Sequence, residues 1–187
     1  MRVPLHPVDL ERKEQFSDWY TAINPRQQVP ALVLDDGRAL AEVPAIWRYL
    51  EEIFPEPALF GNDAVDDALI TMWERRVELE GFAPVMEGVR NASAGLKGRA
   101  LSGPHDYDQI PGLVERSRQR VADFYDDFDD RLEEVPFVAG DDFSAADITA
   151  LVTVDFATDG LKMPIPPSAR ALRQWYEKVA QRPSARA

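Results

Sequence analysis

The chain has 187 residues, room for one ordinary domain or two small ones, each with a core of its own. Thirty-three acidic against 21 basic side chains leave a net charge of −12, and a surface of that sign repels phosphate backbones and anionic headgroups, so nucleic acid is not an expected partner. Without cysteine, a disulfide framework, a thiolate metal site and a redox thiol are all excluded.

The N-terminus, Met1 to Leu10, carries two prolines, a histidine and an aspartate where a signal peptide needs an apolar run. No stretch reaches the ~20 apolar residues of a membrane span. The expected location is the cytoplasm, with no membrane partner. Up to about Phe60 short β-like runs alternate with short amphipathic segments, and beyond it only long helical patterns and loops follow. The predicted division is a small α/β domain over residues 1–56 and an all-helical domain over residues 63–187.

Val3, Leu5 and Val8 alternate, but Pro4 and Pro7 cannot donate to a ladder, which predicts at most an edge strand. Phe16, Trp19, Tyr20 and Ile23 recur at helical spacing until Asn24-Pro25, where the residue before a proline avoids helical angles. Val29 to Leu34, the Asp35-Asp36-Gly37 turn and Arg38 to Ala41 predict a hairpin. A helix from about Pro44 to Ile53 follows, with Pro44 suited to the first helical position and Ile46, Tyr49, Leu50 and Ile53 on one face.

A long helix is predicted over roughly Val65 to Val89, with Leu69, Met72, Trp73, Arg76, Leu79, Met86 and Val89 on adjoining faces. Residues 91–111 predict a loop. Its Gly95, Gly98 and Gly103 follow no strand and precede no Gly-Lys-Ser/Thr, so they read as flexible linker and not as a phosphate cradle. A second long helix is expected from about Gly112 to Leu132. At Phe143-Ser144-Ala145-Ala146-Asp147-Ile148, Ser144 and Asp147 have the spacing of a capping box, and Phe143 and Ile148 that of a hydrophobic staple. That predicts a folding element, not a catalytic pair, at the start of a buried helix running to about Phe156. A final helix begins near Ser168, carries Leu172, Trp175 and Val179, and ends at Arg182-Pro183.

His6 and His105 are far apart and have no helical partner ligand, so no metal site is expected. Asp126-Asp127 and Asp129-Asp130 predict a solvated helix face. Arg75-Arg76 predict bridges to Glu74, Glu78 or Glu80, the alternative being a place in a second-substrate pocket or a dimer interface.

The run Asn24-Pro25-Arg26-Gln27-Gln28-Val29-Pro30-Ala31-Leu32, with Asp36-Gly37, Glu42, Ala45-Ile46 and Tyr49-Leu50-Glu51, resembles the glutathione-binding half-domain of the glutathione S-transferase family, of the bacterial, cytosolic type. Phe137-Val138-Ala139-Gly140-Asp141 through Ser144 and Asp147-Ile148 resembles the family's helical-domain capping motif, and Trp175 to Ser184 its usual ending. The resemblance spans practically the whole chain. It implies a partial thioredoxin-like domain, its first βα unit absent, followed by the all-α C-terminal domain.

The resemblance also implies a site. A cis Val29-Pro30 bond would leave the Val29 N–H and C=O to pair with the cysteinyl part of glutathione as an added strand would. Gln28 stands where the family reaches the glycyl carboxylate, and its amide can donate. Glu42 stands where the family holds the γ-glutamyl end, beside a helix N-terminus that favours an anion. Val43 follows it, where the family usually places a serine. Val43 keeps the N–H and lacks the hydroxyl, and Pro44 offers no N–H, so weaker glutathione binding is expected, by roughly tenfold.

The family begins with a strand, a loop carrying a thiol-activating serine, tyrosine, cysteine or asparagine, and a helix, and none of these precedes Met1. The expectations are that Val3 to Val8 is the family's second strand, that the true start lies upstream, and that the chain as it stands is catalytically inactive, its catalytic residue unknown. The expected function is conjugation of glutathione, as co-substrate, to an electrophilic, apolar small molecule by a homodimer in detoxification. The alternative is a catalytically silent glutathione-binding or scaffolding protein of the same fold.

Overall fold

The computed structural model describes residues 3–186, which form two compact units: the chain up to Glu56 together with Leu101–Asp106, and Pro57–Ala100 together with the chain from Tyr107 onward. In the first unit, α1 spans Asp18–Ile23, and the Ser17 hydroxyl oxygen accepts the Tyr20 N–H at 3.4 Å to cap it. Asn24 turns to extended angles ahead of Pro25 and ends the helix. Strands β1 (Ala31–Val33) and β2 (Ala39–Ala41) pair antiparallel, Leu32 opposite Leu40. Their turn uses Gly37 at φ 85°, and Arg38 closes it through its N–H and guanidinium on Asp36. Helix α2 spans Val43–Ile53 with Pro44 in its first turn and Ile46 buried.

The segment predicted as an edge strand, Val3 to Val8, is not one. Among the described residues no segment pairs with it, Pro4 and Pro7 carry no N–H, and Leu5 is 90% exposed.

The second unit is helical: α3 (Ala64–Arg76), α4 (Ala83–Ala92), α5 (Pro111–Glu134), α6 (Ala145–Gly160) and α7 (Arg170–Val179). Helices α3 and α4 form one continuous rod, as the single predicted helix required, but a π turn over Val77–Phe82 interrupts it. Pro84 explains the turn. A proline inside an α-helix has no N–H to donate and collides with the carbonyl four residues back, and the wider turn, with the Ala83 N–H on the Glu78 carbonyl, relieves both.

The extra residue in that turn shifts the phase of the helix. The buried seam runs through Val77, Gly81, Pro84, Val85, Gly88 and Asn91, while Leu69, Met72 and Leu79 of the predicted face are exposed. Two glycines allow this. A Cβ on Gly81 would stand 2.8 Å from the Phe124 ring of α5, and one on Gly88 would stand 3.0 Å from Leu161 and Ser117. The core beyond them joins Val121, Phe124, Tyr125 and Phe128 of α5 to Ala150 and Val154 of α6 and Leu172, Trp175 and Val179 of α7.

The predicted capping box is present and is wired further than its local motif. Asp147 is fully buried, and its Oδ2 accepts the Ser144 N–H and hydroxyl at 3.0 and 3.2 Å. Its Oδ1 accepts the Val138 N–H at 3.0 Å and the Trp175 indole N–H at 2.8 Å. One carboxylate therefore ties α6 to the preceding turn and to α7.

Two sequence expectations on this unit need correction. Residues 91–111 are not simply flexible linker: Gln109 donates to the Arg90 and Ser93 carbonyls at 2.8 and 2.7 Å, and the Asn91 side chain accepts the Ile110 N–H at 2.8 Å. Asp126, Asp127 and Asp130 are exposed, but Asp129 accepts the Leu172 N–H at 2.8 Å and so caps α7, whose own cap position holds Ala169.

Candidate ligand-binding site

The site residues Gln28, Val29 and Pro30 lie between α1 and β1, and their backbone is held from below by two groups on and after α1. The Tyr20 hydroxyl and the Asn24 amide both donate to the Gln28 carbonyl, at 2.6 and 2.7 Å. Asn24 is buried, and its side-chain oxygen also accepts the Arg26 N–H at 3.0 Å. Burial pushes the Tyr20 hydroxyl above its ordinary pKa, the Asn24 contact pulling back, so it stays a neutral donor at physiological pH. Both lone pairs of one carbonyl are thus filled, which fixes the chain direction entering Val29.

The Val29-Pro30 bond is cis. Val29 is 41% exposed, lies outside the β1–β2 ladder, and among the described residues its N–H and C=O have no partner. Gln28 is half-buried, and its amide donates to the Ser102 hydroxyl oxygen at 2.7 Å, a contact across 74 positions of sequence.

Glu42 and Val43 stand at the start of α2, the next element after the hairpin. Glu42 holds φ 69° and ψ 118°, a region that costs a non-glycine residue roughly 1–3 kcal/mol. Its carbonyl accepts both the Ala45 and the Ile46 N–H at 3.1 Å. Pro44 has no N–H, so of the first-turn amides Val43 alone has no acceptor among the described residues. The Glu42 carboxylate is exposed and makes no cap bond. What the helix start presents is one free N–H at its positive end, which suits a single carboxylate oxygen.

Sequence reasoning did not find Tyr20, Asn24 and Ser102. A signal for the first two exists, since Tyr20, Asn24 and Gln28 follow one another at intervals of four. His6 stacks edge-on against Trp19 at 5.0 Å, and among the described residues no group of three potential metal ligands occurs. Arg75 pairs with Glu78, and Arg76 lies over the Trp73 ring at 4.9 Å. No helix of the described residues is long and apolar enough to cross a membrane.

Comparison with known proteins covers both units. The family model described as the glutathione S-transferase N-terminal domain matches residues 2–53, and that of the C-terminal domain matches residues 111–178. Glutathione S-transferase 2 of Saccharomyces cerevisiae is 36% identical over 180 residues, 95% of this chain and 73% of the relative. The crystal structure of Gtt2 from the same yeast matches with a TM-score of 0.85 at 35% identity, over 96% of this chain and 83% of that one. A glutathione S-transferase domain-containing protein of Marinobacter aquaeolei VT8 matches at 0.86 and 32% identity, over 96% and 84%. With the α/β and helical parts matched in order and at this identity, the chain belongs to the glutathione S-transferase family, a thioredoxin-like domain followed by a helical one with glutathione transferase-like function.

Proposed function

We propose that the chain binds glutathione along the Gln28-Val29-Pro30 segment and at the α2 N-terminus, and conjugates its thiol to apolar, electrophilic small molecules. The observation that carries this reading is the Val29 backbone, which is fixed by Tyr20 and Asn24 yet left unpaired at the mouth of the hairpin. An extended peptide can add to it by two main-chain hydrogen bonds without any side-chain chemistry. The γ-glutamyl carboxylate then falls to the Val43 N–H and the α2 dipole, and its ammonium group to the Glu42 carboxylate. Glutathione supplies the nucleophile as co-substrate, and the protein's part is to hold it and favour its thiolate.

A homodimer fits the same reading. Val65, Leu69, Met72 and Leu79 recur on one face of the α3 rod and are 66, 43, 39 and 47% exposed, apolar area that a second copy would cover. A cytoplasmic place and a role in detoxification follow from the same substrate class.

The test is calorimetric titration of glutathione followed by spectrophotometric conjugation to an aryl halide. Binding with turnover supports the reading and overturns the expectation that the chain as it stands is inactive. Binding without turnover replaces conjugation by a silent glutathione-binding role, and absence of binding overturns the site. Light scattering checks the assembly: a clean monomer mass at micromolar concentration would refute the homodimer.

A further inference from the structure

A chain without cysteine has no thiol to meet a peroxide first, so its oxidisable sulfur is the thioether of methionine. The described residues hold Met72, Met86 and Met163. Met86 and Met163 are half-buried, and Met163 packs against the core with its carbonyl held by the Tyr125 hydroxyl at 2.8 Å. Met72 is exposed, at 39%. It stands on α3 about one turn beyond Leu69 and two beyond Val65, both exposed as well. Of the two side chains one turn further along, Arg75 pairs with Glu78 and Arg76 lies over the Trp73 ring at 4.9 Å, so both have other partners. The thioether is left open to solvent in the middle of an apolar strip that runs from Val65 to Leu79.

We propose that Met72 is an oxidation site whose sulfoxide weakens self-association through the α3 face. The oxidant is a hydroperoxide. The sulfur lone pair takes its distal oxygen, the O–O bond breaks, the thioether becomes a sulfoxide, and the peroxide leaves as water, or as an alcohol when it carries an organic group. The thioether is apolar and adapts its shape to a partner, whereas the sulfoxide is polar and carries an acceptor oxygen that a dry contact leaves unpaired. Oxidation spares the fold, since Met72 lies outside the core. The consequence for association rests on the homodimer reading above, and the oxidation itself does not. Because association covers the same sulfur, the two exclude each other: the free chain is oxidised and the paired chain is protected.

The test treats the full chain and Met72→Leu with hydrogen peroxide and follows each by peptide mass analysis, light scattering at several concentrations and urea unfolding. Met72 is expected to gain oxygen several-fold faster than Met86 and Met163 in dilute solution, and to lose that lead as the chain concentration rises. The oxidised chain is expected to associate about tenfold more weakly, as two copies of one apolar contact turn polar. Its urea midpoint is expected to stay in place, and methionine sulfoxide reductases to restore the association. Met72→Leu keeps an apolar side chain of similar volume without the sulfur, and is expected to associate like the native chain before and after treatment. Equal rates at the three methionines, unchanged association after oxidation at Met72, or an equal loss in Met72→Leu overturns the proposal and leaves the homodimer standing. A monomer mass for the untreated chain at micromolar concentration overturns both.

Discussion

Asp147 offers the sharpest test of how the helical unit is held together. Its two oxygens take four hydrogen bonds from Val138, Trp175 and Ser144 in a site closed to water. Asp147→Ala strands two buried main-chain N–H groups and an indole N–H. At about 1–3 kcal/mol for each donor left without an acceptor, and allowing for relaxation, the expected loss is about 4 kcal/mol, much of the 5–15 kcal/mol that a typical domain has. Asp147→Asn keeps one acceptor oxygen and is expected to lose about half as much. Urea unfolding followed by tryptophan fluorescence measures both. A loss below about 1 kcal/mol for the alanine variant would mean that the four bonds contribute little beyond what water offers the unfolded chain.

The same residue gives a pH signature with a definite sign. Burial pushes the Asp147 carboxyl above 3.8, while the bonds from Val138, Trp175 and Ser144 pull it back without overcoming burial. With the folded value above the unfolded one, the folded protein holds the proton more readily, so the stabilisation due to this titration is complete below about 3.8 and is lost as pH rises through the folded value. The stability difference between the native chain and Asp147→Asn therefore falls as pH rises from below 3.8 through the folded value. A rising difference would show that the hydrogen bonds outweigh desolvation.

Two further perturbations probe the scaffold and the site separately. Asn24→Ala removes one of the two donors on the Gln28 carbonyl and the acceptor of the Arg26 N–H, and is expected to cost about 2 kcal/mol in urea unfolding together with several-fold weaker glutathione binding by calorimetry; unchanged affinity would show that Tyr20 alone fixes the segment. Gly81→Ala places a Cβ 2.8 Å from the Phe124 ring, and overpacking of that kind costs about 1–3 kcal/mol; an unaffected melting temperature would mean that α5 moves freely away from the π turn.

What was legible in the sequence was local chemistry. The Ser144/Asp147 box, the Asp36-Gly37 turn and the stop at Asn24-Pro25 each depend on residues within four positions of one another, and each is present. The buried seam of the long helix was not read from the sequence, because periodicity counts large side chains, whereas here Gly81 and Gly88 make the contact and a π turn moves the phase. Pro84 in mid-pattern was the available signal for that turn. The edge strand at Val3 to Val8 had the right alternation and fails for want of N–H groups and of a partner among the described residues. Gln28 with Ser102, and Asp129 with Leu172, join points 74 and 43 residues apart, and no spacing rule reaches that far. On the site itself, the motif pointed to Gln28, Val29, Pro30, Glu42 and Val43, but it could not tell that the Gln28 amide is already half engaged.

The start of α2 supplies the prediction most particular to this chain. Pro44 removes one first-turn donor, and the Glu42 carbonyl engages two more, so a carboxylate arriving there meets the Val43 N–H alone. Val43→Ser adds a hydroxyl at the same place, where the helix dipole already favours negative charge. A hydrogen bond to a charged group contributes about 1.5–3 kcal/mol, and partial exposure lowers the expected gain to about 1–2 kcal/mol, or roughly tenfold in affinity. Stability moves the other way: Val43 is half-buried, and exchanging its two methyl groups for a hydroxyl is expected to cost about 1 kcal/mol in urea unfolding. Opposite changes in the two measurements are therefore the signature, tighter glutathione by calorimetry and a lower unfolding midpoint. If the serine variant binds glutathione no better while losing that stability, Val43 is packing alone and the γ-glutamyl carboxylate is held elsewhere.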